Sequence, residues 1–312
     1  MSGRVPGVSL LTVSETVPSR SSFTERARYD VVGIGNALVD VIAHADDEFL
    51  EAYGLVKGSM TLIETERAVE LYRALPGAVE MSGGSAANTV CGVASFRGRA
   101  AYIGKVDGDD LGQVFGHDMR AVGVAFSGTV EQQPIPTGRC VIVVTPDAER
   151  TMNTYLGVSS MLGIDDLDER TIADGAVLYM EGYLFDRDDA KAAFRHAAQV
   201  AHDNGRLVSL TLSDSFCVDR HRDDFRGLVA DSVDLLFGNE DELLSLYEPE
   251  SFDDAVAALR AECSMAAVTR GAHGCVIVTH DELIEVPAVP VETVVDTTGA
   301  GDLFAAGFLH GL

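Results

Sequence analysis

Positive charge is scarce in this chain. Lysine occurs only at Lys57, Lys105 and Lys191, and 23 basic residues stand against 49 acidic ones, for a net charge of −26. That balance repels nucleic acid and anionic membrane surfaces, so neither is expected as a partner. Long apolar runs are lacking too. No stretch approaches the roughly 20 residues that span a bilayer, and the apolar patch at Leu10 and Leu11 is too short for a signal-peptide core. Cysteine is sparse and scattered. Cys91, Cys140, Cys217, Cys263 and Cys275 form no C-x-x-C, and the eight histidines form no H-E-x-x-H. This argues against zinc and a disulfide framework, and for reduced thiols in a cytoplasmic protein. Two phosphate motifs are also missing. No Gly-Lys-Ser/Thr follows a glycine loop, and Gly33-Ile34-Gly35 leads to Leu38 where a dinucleotide fingerprint needs glycine.

What the chain does contain is 46% hydrophobic residues over 312 positions, enough for one large core. Residues 1–28, rich in Ser, Val and Arg, are expected to be a disordered extension. From Tyr29 onward strand-like and helix-like patterns alternate. Buried strands are expected at Tyr29 to Gly35, Ala100 to Gly104, Ala176 to Met180, Leu207 to Leu212, Ser232 to Phe237, Ala266 to Thr269 and Cys275 to Thr279. Helices are expected at Glu64 to Leu75, Ser85 to Phe96, Asp109 to Val122, Arg187 to Asn204, Glu240 to Tyr247 and Asp253 to Glu262. Repeated βαβ units imply a mostly parallel sheet covered on both faces, with ligands outside the carboxyl ends of its strands. Short strands near 39–63 and a hairpin within 124–156 read as a small β-lid on one domain spanning 29–312.

The most informative stretch is Asp296-Thr297-Thr298-Gly299-Ala300-Gly301-Asp302, where loop gives way to an apolar helix. Its small residues let backbone N–H groups converge on an anion at a helix N-terminus, with Asp302 placed to take a proton from a hydroxyl. An Asp that only stabilises the helix start fits the local pattern equally. Asn36 and Asp40 offer groups for sugar hydroxyls, or serve as a turn residue and a solvated strand residue. Ser82-Gly83-Gly84-Ser85, with Asn88 one turn on, opens a helix where a ligand can approach the backbone closely. Asn239 and Glu242 have capping-box spacing, the better local fit, and also suit ordering the water shell of Mg²⁺. Thr269-Arg270-Gly271-Ala272-His273-Gly274 is a strand-end loop facing nucleotide phosphates, or an ordinary turn.

Together these segments resemble the PfkB, or ribokinase-like, family of carbohydrate and nucleoside kinases, from about Tyr29 to Leu312. Asp296 to Asp302 is similar to that family's C-terminal signature. Gly83 to Asn88, with Gly104, Asp107 and Gly112, is similar to its N-terminal one. Local likeness is to the adenosine kinase branch. Gly35-Asn36-Ala37-Leu38-Val39-Asp40 resembles its G-N-P-L-L-D, Pro136-Thr137-Gly138-Arg139-Cys140 its P-T-G-T-C, and Phe237-Gly238-Asn239-Glu240 its F-G-N-E.

The resemblance implies a three-layer αβα domain with a mostly parallel sheet and a small β-lid. The implied activity is ATP-dependent phosphorylation of the 5′-hydroxyl of adenosine to AMP, a purine-salvage reaction. A sugar kinase of the ribokinase or fructokinase type is the alternative on the same fold, and a non-catalytic nucleoside-binding protein the alternative from another class. Carried over residue by residue, Asp302 is the general base, and the amides of Gly299, Ala300 and Gly301 form the anion hole. Asn36, Asp40, Gly84, Ser85 and Asn88 contact the ribose, and Arg150 reaches the phosphates. Asn239 and Glu242 organise Mg²⁺, while Thr269, Arg270, Gly271 and Gly274 meet ATP. Asp296 and Thr298 are the expected ligands of a monovalent cation such as K⁺, and Cys140 and Leu184 face the purine by position. Family members continue with helices beyond the position of Leu312, so these are expected to be missing here. A monomer or homodimer is expected.

Overall fold

The computed structural model describes residues 27–128, 134–147, 149–292, 297 and 299–312. Its strands follow one another as β1 (Tyr29–Ile34), β2 (Leu38–His44), β3 (Met60–Leu62), β4 (Val79–Gly83), β5 (Ala100–Ile103), β6 (Ala125–Phe126), β7 (Gly138–Val144), β8 (Arg150–Tyr155), β9 (Gly175–Glu181), β10 (Leu207–Thr211), β11 (Leu235–Asn239), β12 (Met265–Thr269), β13 (Cys275–Thr279) and β14 (Leu283–Val286). Between them lie the helices α1 (Asp47–Ala52), α2 (Thr65–Ala74), α3 (Ser85–Ser95), α4 (Asp110–Ala121), α5 (Glu169–Ala173), α6 (Asp188–Asp203), α7 (Ser215–Ser232), α8 (Glu240–Tyr247), α9 (Phe252–Glu262) and α10 (Ala300–Gly311).

Among the described residues nine strands form a large sheet in the order β14-β13-β12-β11-β10-β9-β1-β5-β6. Every pair from β12 to β6 is parallel, and β13 and β14 turn antiparallel at one edge. Successive strand side chains point to opposite faces, so Val32 and Ile34 enter one core while Val31 enters the other. The first core is closed by α6, α7, α8 and α9 through Phe194, Phe225, Leu243 and Leu259. The second is closed by α3, α4 and α10 through Val90, Phe115 and Leu309. The result is a three-layer α/β fold. A separate five-stranded sheet, ordered β3-β8-β7-β2-β4, stands beside the second layer. β6 belongs to the large sheet, whereas β4, not singled out from sequence, belongs to the small one.

Several expectations change. The strand expected from Ser232 starts at Leu235, because α7 runs through Ser232. Ala27 is buried and the Arg28 amide donates to the Asp174 carbonyl, so ordered packing begins before Tyr29. Residues 1–26 of the expected extension lie outside the described residues. All five cysteines are free thiols. Among the described residues no helix is long and apolar enough to cross a membrane.

Candidate active site

Two helices that are far apart in sequence place their N-termini side by side at the carboxyl end of the large sheet. α3 and α10 run parallel: Ser85 and Asn88 meet Asp302, Gly92 faces Ala306, and Phe96 lies near His310. The closeness comes from small residues. A methyl group added at Gly92 would stand 2.7 Å from the Ala306 Cβ. Both helix dipoles therefore present their positive ends to one point, which favours negative charge there despite the acidic molecule as a whole.

Asp302 occupies that point in the first turn of α10. Its Oδ1 accepts from Ser85 Oγ at 2.6 Å, and its Oδ2 from Asn88 Nδ2 at 3.0 Å. Burial raises the carboxyl above the usual carboxylate range, while these two donors pull it back. The helix is preceded by Gly299 in a left-handed conformation at φ 70°. The Ala300 amide donates to the Thr297 carbonyl at 3.1 Å. Of the three amides expected to meet an anion, this one is engaged within its own turn. Asp296 and Thr298, the expected cation ligands, lie outside the described residues.

Across from this point the small sheet contributes Asp40 and Arg150. Strand register sets Asp40, Cys140 and Arg150 on one face of that sheet. The Asp40 carboxyl is pushed up to about 6, first by burial and further by Asp302, while the Arg150 charge opposes the rise. It rests against Gly83, where any Cβ would lie 2.5 Å from the Asp40 Cγ. Gly84 starts α3 at φ 101°, and a side chain there would collide with the Asn36 carbonyl. Cys140 sits opposite Asp40 in the sheet, but Leu184 is packed in the first core, away from its expected place at the purine.

Four other expected ligand residues have hydrogen-bond partners within the protein. Asn36 is 2% exposed, and its side chain donates to Glu181 and accepts from Ser159. Asn239 and Glu242 form a complete capping box on α8. Both Glu242 oxygens accept from Asn239, through its backbone N–H at 3.0 Å and Nδ2 at 2.7 Å. Burial pushes the Glu242 carboxyl up to about 7, and Asp214 and Asp241 push the same way. Arg270 forks onto Glu240 at 3.0 and 3.1 Å and covers the Phe252 ring. Thr269 ends β12, and Gly271 and Gly274 shape the turn that follows it.

The description "pfkB family carbohydrate kinase" matches residues 47–312. The chain belongs to that family. A solved structure of the adenosine kinase from Sinorhizobium meliloti is 53% identical, with a TM-score of 0.83, covering 91% of this chain and 88% of that one. A probable sugar kinase from Rhizobium etli CFN 42 is 48% identical, also with a TM-score of 0.83, covering 91% and 87%. Adenosine kinase 2 of Arabidopsis thaliana is 25% identical over 314 residues, covering 92% and 89%. The protein is thus a ribokinase-like, ATP-dependent kinase acting on a hydroxyl group, of adenosine-kinase-like character. One buried acid beside these residues escaped the sequence reading. Glu181, 1% exposed at the end of β9, accepts from the backbone of Asn36 and Ala86 beneath the catalytic-side helix α3. The available signal was a lone acid closing an otherwise apolar buried strand.

Proposed function

We propose that the protein transfers the γ-phosphoryl group of ATP to the 5′-hydroxyl of adenosine, releasing AMP and ADP. The carrying observation is Asp302, half-buried at two converging helix N-termini and held by Ser85 and Asn88. In this reading Asp302 takes the hydroxyl proton as the oxygen attacks, and first-turn amides of α10 receive the negative phosphoryl group. Asp40 accepts hydrogen bonds from the ribose hydroxyls, and Arg150 neutralises phosphate charge from the small sheet. Alignment and charge neutralisation are most of what phosphoryl transfer requires.

Magnesium fits a water-mediated role. Glu242 is a buried carboxylate with acidic neighbours, and hard oxygen donors suit Mg²⁺ that keeps its waters. Among the described residues no three His, Cys, Asp or Glu side chains converge to hold a metal. Asn239 and Glu242 would therefore order water around an ion brought by ATP, and that ion would offset charge on the phosphates. The second reading is a sugar kinase, favoured by the likeness to the R. etli protein. ADP release measured with adenosine, inosine, ribose and fructose separates the two. Adenosine is expected to have the highest kcat/KM, and a faster sugar would overturn the assignment.

A further inference from the structure

α3 begins without a local cap. Its N-cap residue is Gly84, which has no side chain to bond the first-turn amides. The missing acceptor arrives from the large sheet. Glu181 Oε2 accepts from the Ala86 amide at 2.8 Å, while Oε1 accepts from the Asn36 amide at 3.2 Å and from Asn36 Nδ2 at 3.0 Å. Ser159 Oγ in turn donates to Asn36 Oδ1 at 3.0 Å. The fit is tight, since a Cβ at Gly35 would lie 2.5 Å from Glu181 Oε2. Among the described residues no basic side chain is bonded to this carboxylate. Burial pushes the Glu181 carboxyl up to about 7, while three N–H donors and the positive end of α3 favour its charged form.

We propose that Glu181 is a positioning residue for phosphoryl transfer: it caps α3 from β9, fixes the height and rotation of that helix, and so sets where Ser85 and Asn88 hold Asp302. This rests on the reading of Asp302 as the base. The linkage is short. Ala86, bonded to Glu181, directly follows Ser85, bonded to Asp302. The same carboxylate orders the segment entering β2, so the acceptor-binding strand and the base share one anchor.

The test uses Glu181→Gln and the charge-preserving Glu181→Asp. Glutamine keeps the shape but turns one oxygen into an NH₂ group, which faces an N–H donor whichever way it is flipped. Amide hydrogen exchange over residues 84–90 is expected to accelerate by about 10-fold or more in Glu181→Gln relative to the rest of the molecule. Its kcat, measured well below the melting temperature, is expected to fall by about 10–100-fold, with KM for ATP changed by no more than about twofold. Glu181→Asp should fall between the variant and the wild type in both readouts. Unchanged exchange over 84–90 overturns the proposal, even if turnover is lost. So does a lowered melting temperature with kcat within about twofold of wild type, which marks a purely structural acid. Failure of the base assignment shows separately, as near-normal turnover of Asp302→Asn.

Discussion

A methyl group at Gly92 would lie 2.7 Å from the Ala306 Cβ and 3.2 Å from Leu303 Cδ2. Carbon atoms rest about 3.5–4.0 Å apart, so Gly92→Ala must push α10 away from α3 by about 1 Å. The Asp302 contacts now at 2.6 and 3.0 Å would then open to about 3.6 and 4.0 Å, beyond hydrogen bonding. Two effects on stability oppose each other. Alanine gains about 1 kcal/mol over glycine inside a helix, while overpacking costs about 1–3 kcal/mol. The net loss is about 0–2 kcal/mol, a melting-temperature drop of a few degrees. Misplacement of the base by 1 Å should lower kcat by about 100-fold. ADP release and thermal unfolding measure the two quantities. Gly227→Ala serves as the control, because nothing lies within 4 Å of its added methyl. It should gain up to about 1 kcal/mol with unchanged turnover. A Gly92→Ala enzyme within about twofold of wild-type kcat would refute the geometric argument.

Asp302→Asn should reduce kcat by about 10²–10⁴-fold while calorimetry finds adenosine binding nearly intact; loss of binding with kcat preserved would reverse the roles. Asp40 has a folded-state carboxyl near 6, above its unfolded value, so its contribution favours folding at low pH and is lost as pH rises through 6. Asp40→Asn should therefore be more stable than wild type by up to about 3 kcal/mol at about pH 8 and equal to it near pH 4; denaturant titration showing a pH-independent difference would exclude this cause. Arg270→Ala should leave KM for ATP within about twofold, since the guanidinium is held by Glu240. A tenfold rise in KM would place Arg270 on the nucleotide.

Asp302, Ser85 and Asn88 were singled out because small residues mark a loop-to-helix junction at both places, and the structure brings the three into contact. The sheet was legible for the same local reason, apolar runs at βαβ spacing. What escaped depended on distant partners. The Arg270 partner, Glu240, lies 30 residues earlier and was not visible locally. The Asn36 partner, Glu181, reaches it across 145 positions. α7 escaped because a non-helical His221 at φ −129° breaks its period midway, in a segment dense with charge. The capping box at Asn239 and Glu242 was readable from spacing alone, since both partners belong to one helical turn.

The Ser85–Asp302 contact joins positions 217 residues apart. Closing so long a loop is slow and entropically costly, so local βαβ units gain their structure sooner. A ribosome-bound chain that has emerged only as far as β12 can already hold α3 against β1, while Ser85 and Asn88 still lack the carboxylate they bond in the finished fold. If Asp302 is the base, as proposed, turnover must wait until α10 docks.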